Sequence, residues 1–126
     1  MNHSNPRTVL IVEDDEGFNY AVARALREAG HSVITVTGSM DALREMDKGA
    51  VDVAVIDVVL KPKEPHGISL GHMIKSKRPS TSVLFVTARD DLTEDQFPGE
   101  VLYKPVQLDE LTWKVGDLLT KQRSAI

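Results

Sequence analysis

The sequence predicts an α/β fold, a doubly wound (βα)5 sandwich around one five-stranded parallel sheet. Three observations lead to this class of fold. Apolar residues form short, Val- and Ile-rich runs without polar alternation, which is typical of strands that are buried on both faces. Segments with apolar residues at helical spacing separate these runs. Most of these segments are long enough for the crossover that parallel strands require.

The predicted strands and helices alternate along the chain. The strands are VLIV (9–12), VITV (33–36), VAVI (53–56), VLFV (83–86) and VLY (101–103). The first helix should cover about 16–29 and end at Gly30, with Phe18, Val22, Ala25 and Ala29 on one face. The second should lie between Ser39, as its N-cap, and Gly49; the others should cover about 68–77 and 108–121.

Two helical regions carry more specific expectations. In the connection between the fourth and fifth strands, Pro98 and Gly99 leave room for one or two helical turns, so the fourth helix should be shortened or irregular. On the final helix, one stripe should face the sheet; it consists of Leu108, Leu111, Val115, Leu118 and Leu119. Trp113 lies well away from this stripe and should be exposed.

Composition narrows the classes of function. A chain of 126 residues with 41% hydrophobic and 27% charged residues indicates one folded domain, 1–126, with a core of about 8–121 and frayed ends. A net charge of −4 without a basic block disfavours direct binding to nucleic acid or to a membrane surface. The lack of cysteine excludes disulfides and thiolate chemistry. With no signal-peptide pattern, a cytoplasmic location is expected.

Polar residues follow the predicted strands at their carboxyl ends. Glu13, Asp14 and Asp15 follow the first strand, Asp57 follows the third, Thr87 follows the fourth and Lys104 ends the fifth. Parallel strands place these ends along one edge of the sheet, so the side chains should gather in one patch. Crowded carboxylates need a cation or protonation, and Mg²⁺ suits an open site of oxygen ligands.

These residues stand in motifs that resemble a response-regulator receiver domain of two-component signalling, a CheY-like family with a flavodoxin-like fold. The motifs are VLIVEDD (9–15), VAVIDVVL (53–60), His66 with Gly67, VLFVTA (83–88) and YKP (103–105). The resemblance covers nearly the whole chain. It implies a phospho-acceptor and not an enzyme with a separate substrate: such a domain catalyses its own phosphoryl transfer and slow self-dephosphorylation.

The resemblance also implies residue roles. Asp14 and Asp57 would bind Mg²⁺ directly, Glu13 would act through metal-bound water, and Val59 would lend its backbone carbonyl. Asp57 would accept the phosphoryl group. One phosphoryl oxygen would be hydrogen-bonded by Thr87 and another paired with Lys104, and the peptide bond before Pro105 would be cis.

The sequence departs from the family at the switch residue of the fifth strand. The usual aromatic is replaced by Val101. Tyr103 points to the same side of the strand and could take part of the switch role, although a packed edge-strand tyrosine is the favoured interpretation. The candidates for switching or output are therefore Thr87, Val101, Tyr103 and Trp113. Trp113 could anchor a homodimer or a partner, although a solvent-exposed ring without a partner fits the sequence as well.

Several functions remain open at this point. The leading interpretation is a stand-alone receiver, phosphorylated by a sensor histidine kinase or a histidine phosphotransfer protein and acting on an unidentified downstream protein. A receiver fragment of a hybrid histidine kinase or a multidomain regulator is the alternative within the family. An Mg²⁺-dependent phosphatase with an aspartate nucleophile would need a second acid where Val59 stands. A receiver that binds partners without phosphorylation would not need the full acceptor set.

Overall fold

The computed structural model describes residues 7–58, 67–88 and 93–124 and confirms the predicted fold class. The strands are β1 (Thr8–Val12), β2 (Ser32–Val36), β3 (Val53–Asp57), β4 (Ser82–Thr87) and β5 (Glu100–Tyr103). The helices are α1 (Glu16–Glu28), α2 (Ser39–Lys48), α3 (Gly67–Lys77) and α4 (Leu108–Ser124). A 3-10 turn at Glu94–Gln96 lies between β4 and β5.

The five strands are parallel and lie in the order β2-β1-β3-β4-β5. The strand order reverses between β1 and β3, which pair from Val9 opposite Val53 to Val12 opposite Ile56. In open α/β sheets, ligands bind beyond the carboxyl ends of the strands at such a reversal. The ends of β1 and β3 are therefore where a site is expected.

The sheet separates two apolar layers because successive side chains of a strand point to opposite faces. Leu10, Ile56 and Phe85 pack with residues of α2 and α3 on one side. Ile11 and Val55 pack with residues of α1 and α4 on the other. Burial on both faces explains why the strand sequences are continuously apolar.

Helix boundaries agree with the predictions to within a few residues, and Gly30 has the positive φ of 98° expected after a helix end. One cap was wrong: Gly38 is the N-cap of α2, whereas Ser39 is its first residue and is buried. The predicted face of α1 was also displaced. Its buried residues are Asn19, Val22, Ala23 and Leu26, whereas Ala29 is exposed.

The final helix follows the predicted stripe except at its first residue. Leu111, Val115, Leu118 and Leu119 are buried, as predicted. Leu108 is 42% exposed, so its predicted contact with the sheet is wrong; it begins the helix and lines a groove beside α1. Trp113 is 66% exposed, which confirms the prediction of an accessible ring.

The β4–β5 connection contains only the 3-10 turn within its described part, 88 and 93–99, as its Pro98 and Gly99 indicated. Phe97 closes the core there: it is buried, and its ring centroid lies 5.2 Å from that of Phe85. A methyl group at Gly71 would overlap the ring of Phe85, so a glycine is needed where α3 passes this pair. A single aromatic side chain thus covers part of the surface that a fourth crossover helix would cover.

Candidate functional site

The predicted acidic residues meet at one edge of the sheet. Asp57 is the last residue of β3, and Glu13 and Asp14 follow the neighbouring β1 directly. Carboxylate oxygens of all three lie within 4.8 Å of one another. The pairing of β1 with β3 therefore brings together side chains that are more than forty positions apart in the sequence.

The three carboxyl groups differ in their surroundings. Glu13 is buried and the side chain of Asp57 is only 5% exposed, whereas Asp14 is exposed. Burial raises the pKa of Glu13 to about 7, and the negative charge of Asp57 adds to this effect. The backbone N–H of Asp15 opposes it by donating to Oε2 of Glu13 at 3.1 Å. The surroundings of the cluster therefore do not fully stabilise three ionised carboxylates.

Lys104 brings a positive charge to this cluster from the end of β5. Its Nζ lies 2.8 Å from Oδ1 of Asp57 and 3.5 Å from Oε1 of Glu13. Partial burial alone would lower the pKa of Lys104, but its hydrogen bond with Asp57 and the two negative charges raise it above the ordinary value. The lysine is therefore charged and faces the acid predicted to accept a phosphoryl group. The peptide bond from Lys104 to Pro105 is cis, as the resemblance implied.

Thr87 lies beside this pair at the end of β4. It is fully buried, and its backbone carbonyl accepts a hydrogen bond of 2.8 Å from the N–H of Lys104. The N–H of Val58, next to Asp57, donates to the carbonyl of Val86 at 2.9 Å. The ends of β3, β4 and β5 are thus fixed to one another, and Thr87 lies between Asp57 and Lys104 in the strand order.

The donor set fits a hard divalent cation. Oxygens of three carboxylates lie within 4.8 Å of one another, and the buried Oε1 of Glu13 lies 3.5 Å from the Lys104 ammonium. Oxygen ligands with one or two direct carboxylates are the arrangement that Mg²⁺ favours in open sites. Val59, whose carbonyl was predicted as a further ligand, lies outside the described residues.

Apart from Thr87, the candidates for switching or output lie on β5 and α4. Val101 is partly buried and packs on the apolar layer beneath α2 and α3. Tyr103 is 42% exposed, so the packed position predicted for it is wrong. Trp113 borders two shallow grooves, one between α4 and β5 and one between α4 and α1. The exposed rings of Tyr103 and Trp113 are both available for contact with another surface.

Sequence reasoning missed Asn19. This residue is buried on the inner face of α1, and its Nδ2 donates to the backbone carbonyl of Glu13 at 2.6 Å. A signal for it was present: a polar residue falls on a helix face that otherwise carries Val22, Ala23 and Leu26. The predicted buried face of α1 did not include Asn19, so this residue was not recognised as a polar residue on that face.

Comparisons with known proteins agree with the fold. The family model of the response regulator receiver domain matches residues 9–115. The chain is 36% identical over 108 residues to the transcriptional regulatory protein TcrA of Mycobacterium tuberculosis, a match that covers 82% of this chain and 42% of TcrA. The receiver domain of Francisella response regulator 1452 has a TM-score of 0.79 at 28% identity, with 93% of this chain and 98% of that one covered.

A third similar protein is TrrA of Thermotoga maritima, whose crystal structure was determined with Mg²⁺ and a beryllium fluoride; it has a TM-score of 0.76 at 24% identity and covers 90% of this chain and 99% of its own. This chain belongs to the response-regulator receiver family. Such domains work in two-component signalling and are not conventional enzymes, which removes the phosphatase alternative. The chain spans about half or less of the length of TcrA and of TcrX, another regulator of M. tuberculosis.

Each helix of the described segments is too short or too polar to cross a lipid bilayer.

Proposed function

We propose that Asp57 is the phosphoryl acceptor of this receiver and that the donor is a phosphorylated histidine of a sensor kinase or a phosphotransfer protein. The observation that carries the proposal is the position of Lys104, with its ammonium group 2.8 Å from Oδ1 of Asp57 and two further carboxylates close by. A carboxylate that is paired with a fixed cation and lies beside potential metal ligands is arranged to react with a phosphoryl group.

The transfer needs few groups from the protein. A carboxylate oxygen of Asp57 forms a bond to phosphorus while the phosphorus–nitrogen bond of the donor breaks, and the imidazole nitrogen keeps the electron pair. Lys104 neutralises the oxygens that arrive at its side of Asp57. In this proposal Thr87 would donate its hydroxyl to one of these oxygens, and this new bond would favour one of two surface conformations.

The metal assignment follows the sequence prediction. Asp14 and Asp57 would hold Mg²⁺ directly, Glu13 would act through a metal-bound water, and the carbonyl of Val59 would complete the set. When bound, Mg²⁺ supplies the positive charge that offsets the phosphoryl oxygens. The proximity of the carboxylates of Glu13, Asp14 and Asp57 supports this assignment, as does the Mg²⁺ found in the TrrA structure.

Phosphorylation by a small donor tests the proposal. We expect wild-type protein incubated with acetyl phosphate and MgCl₂ to gain the mass of one phosphoryl group, measured by intact-protein mass spectrometry, with the modified residue located on Asp57. Asp57→Asn should gain nothing. Asp109→Asn, which removes an exposed carboxylate on α4, is the matched control and should behave as the wild type. Phosphate on Asp14 or Asp15 of the wild type would contradict the assignment.

Two further points stay predictions. These are the single-domain, stand-alone arrangement and the cytoplasmic location, which the size and fractionation of the native gene product test. The kinase and the downstream protein are to be identified by phosphotransfer profiling and by capture with the beryllofluoride-treated domain.

A further inference from the structure

The turn that carries the acidic pair is fixed by hydrogen bonds on several sides. The N–H of Glu13 donates to the carbonyl of Val36 in β2 at 3.1 Å. The N–H of Asp15 donates to the side chain of Glu13, and the N–H of Phe18 donates to the side chain of Asp15, both at 3.1 Å. These bonds hold Glu13 and Asp15 but leave the carbonyl of Glu13 to be satisfied.

Asn19 satisfies that carbonyl from inside the domain. Its Nδ2 donates to the oxygen of Glu13 at 2.6 Å, and its backbone N–H donates to the carbonyl of Asp15 at 3.0 Å. The carbonyl of Glu13 belongs to the planar peptide unit that leads into Asp14. A hydrogen bond to this oxygen therefore sets the orientation of the peptide and the direction in which the Asp14 side chain leaves the backbone.

An amide at this position costs stability. Asn19 is only 6% exposed on a face that otherwise buries Val22, Ala23 and Leu26. Its Oδ1 is buried and has no hydrogen-bond partner among the described residues. A buried polar atom without a partner is unfavourable, and an apolar side chain of similar size would avoid the penalty. The bond to Glu13 is the contact that distinguishes asparagine from such a side chain.

We propose that Asn19 is a positioning residue: it holds the Glu13–Asp14 peptide so that the Asp14 carboxylate faces Asp57 before a cation arrives. This inference rests on the proposed function, in which Asp14 and Asp57 share a divalent cation. Groups that orient metal ligands through a hydrogen bond commonly change metal affinity by roughly tenfold or more when they are removed. Asn19 acts on the site through Asp14 and touches no cation itself.

The test is the affinity for MgCl₂ of Asn19→Leu, which keeps the branching and the number of heavy atoms of the side chain and removes the amide. We expect the Mg²⁺ dissociation constant, measured by isothermal titration calorimetry, to rise roughly tenfold. The urea midpoint of the metal-free protein should shift little, because the variant also removes the unpaired Oδ1. Val22→Ala is the matched control: it leaves a cavity on the same face, so it should lower the urea midpoint and keep the wild-type dissociation constant.

A second measurement examines the turn without metal. Amide hydrogen exchange at Asp15 and Phe18 should be faster in Asn19→Leu than in wild type. In Val22→Ala, exchange at these two amides should accelerate only as far as the lowered global stability of that variant accounts for. If Asn19→Leu does not fold, the same measurements are made on Asn19→Ala below its unfolding temperature. A wild-type dissociation constant in the folded Asn19 variant, or an equal rise in Val22→Ala, overturns the positioning role alone. Wild-type protein that does not bind Mg²⁺ overturns the proposed metal site as well.

Discussion

Asp14, Asp57 and Glu13 form an excess of negative charge that Lys104 balances only in part. Asp14 is the exposed member, whereas Asp57 lies against the lysine at 2.8 Å. Neutralising Asp14 relieves repulsion, while neutralising Asp57 also removes the partner of Lys104. The two acids should therefore respond differently to the same substitution.

We expect Asp14→Asn to raise the free energy of unfolding of the metal-free protein by about 1 kcal/mol, the scale of an exposed charge interaction. Asp57→Asn should raise it less. Urea unfolding in the presence of a chelator measures both. With saturating MgCl₂ the wild type should become more stable than Asp14→Asn, because that variant loses a ligand and gains little from the cation. A destabilised Asp14→Asn in the chelated state would argue against the crowding of these carboxylates.

At the scale of elements, the β4–β5 connection depends on Phe97 more than on its own secondary structure. This ring is buried against Phe85, and the adjacent Gly99 passes so close to the backbone of Val83 that a side chain would overlap it. Within residues 93–99, the described stretch before β5, the chain packs on the core through an aromatic contact and a close backbone approach.

We expect Phe97→Ala to lower the free energy of unfolding by about 3 kcal/mol, the usual cost of removing a buried aromatic ring. Tyr20→Ala, which removes a ring that is 69% exposed on α1, should change it by less than about 0.5 kcal/mol. Chemical denaturation of both variants gives the comparison. Equal small effects would mean that the ring of Phe97 contributes little to the core.

The edge strand β5 is joined to α4 by charges. The carboxylate of Glu100 is paired with the ammonium group of Lys114 and lies 3.5 Å from Nζ of Lys121. The hydrogen bond from Lys114 lowers the pKa of Glu100 below its ordinary value of 4.5, with the charges of both lysines adding to it. Because the group is partly exposed, solvent screens the pair and its contribution to stability is small.

We expect Glu100→Gln to lower the free energy of unfolding by about 0.5 kcal/mol at neutral pH. The folded protein binds fewer protons at this group than the unfolded chain does, so the stabilisation is fully present above pH 4.5 and is lost as the pH falls through the lower folded pKa. Thermal or urea unfolding of the wild type and of Glu100→Gln, from neutral pH down through the folded pKa of Glu100, measures the difference in their free energies of unfolding. A difference that stays constant in acid would contradict the ion pair.

At the scale of the whole molecule, the feature of interest is the exposed ring of Trp113 on the surface of α4. It is 66% exposed between the groove beside β5 and the groove beside α1. Such a position contributes little to folding and is suited to contact with another protein surface. The sequence left open whether the ring merely lies on its helix or anchors a homodimer or partner.

We expect Trp113 fluorescence in dilute protein to be red-shifted and readily quenched by acrylamide, and Trp113→Ala to change the free energy of unfolding by less than about 0.5 kcal/mol. Sedimentation of both proteins with and without beryllofluoride then tests the interface. Loss of self-association only in Trp113→Ala would support an anchor, and identical sedimentation would exclude a Trp113-mediated homodimer. Quencher-protected fluorescence in a monomer would contradict the exposure itself.

The sequence by itself determined the fold class, the strands and the edge where Glu13, Asp57 and Lys104 gather. These features depend on local patterns: continuous apolar runs make buried parallel strands, and parallel strands bring their carboxyl ends to one edge. The short fourth connection was predictable for the same reason, since Pro98 and Gly99 limit a helix wherever the chain packs.

Only the tertiary structure decided which side chains meet. Asn19 reaches the carbonyl of Glu13, Phe97 reaches Phe85, and Leu108 and Tyr103 remain exposed against expectation. Periodicity assigns a residue to a face of its own element, but it does not specify what lies opposite that face or whether the element extends past its neighbours. Those outcomes depend on contacts between distant segments, which exist only once the sheet and its helices are assembled.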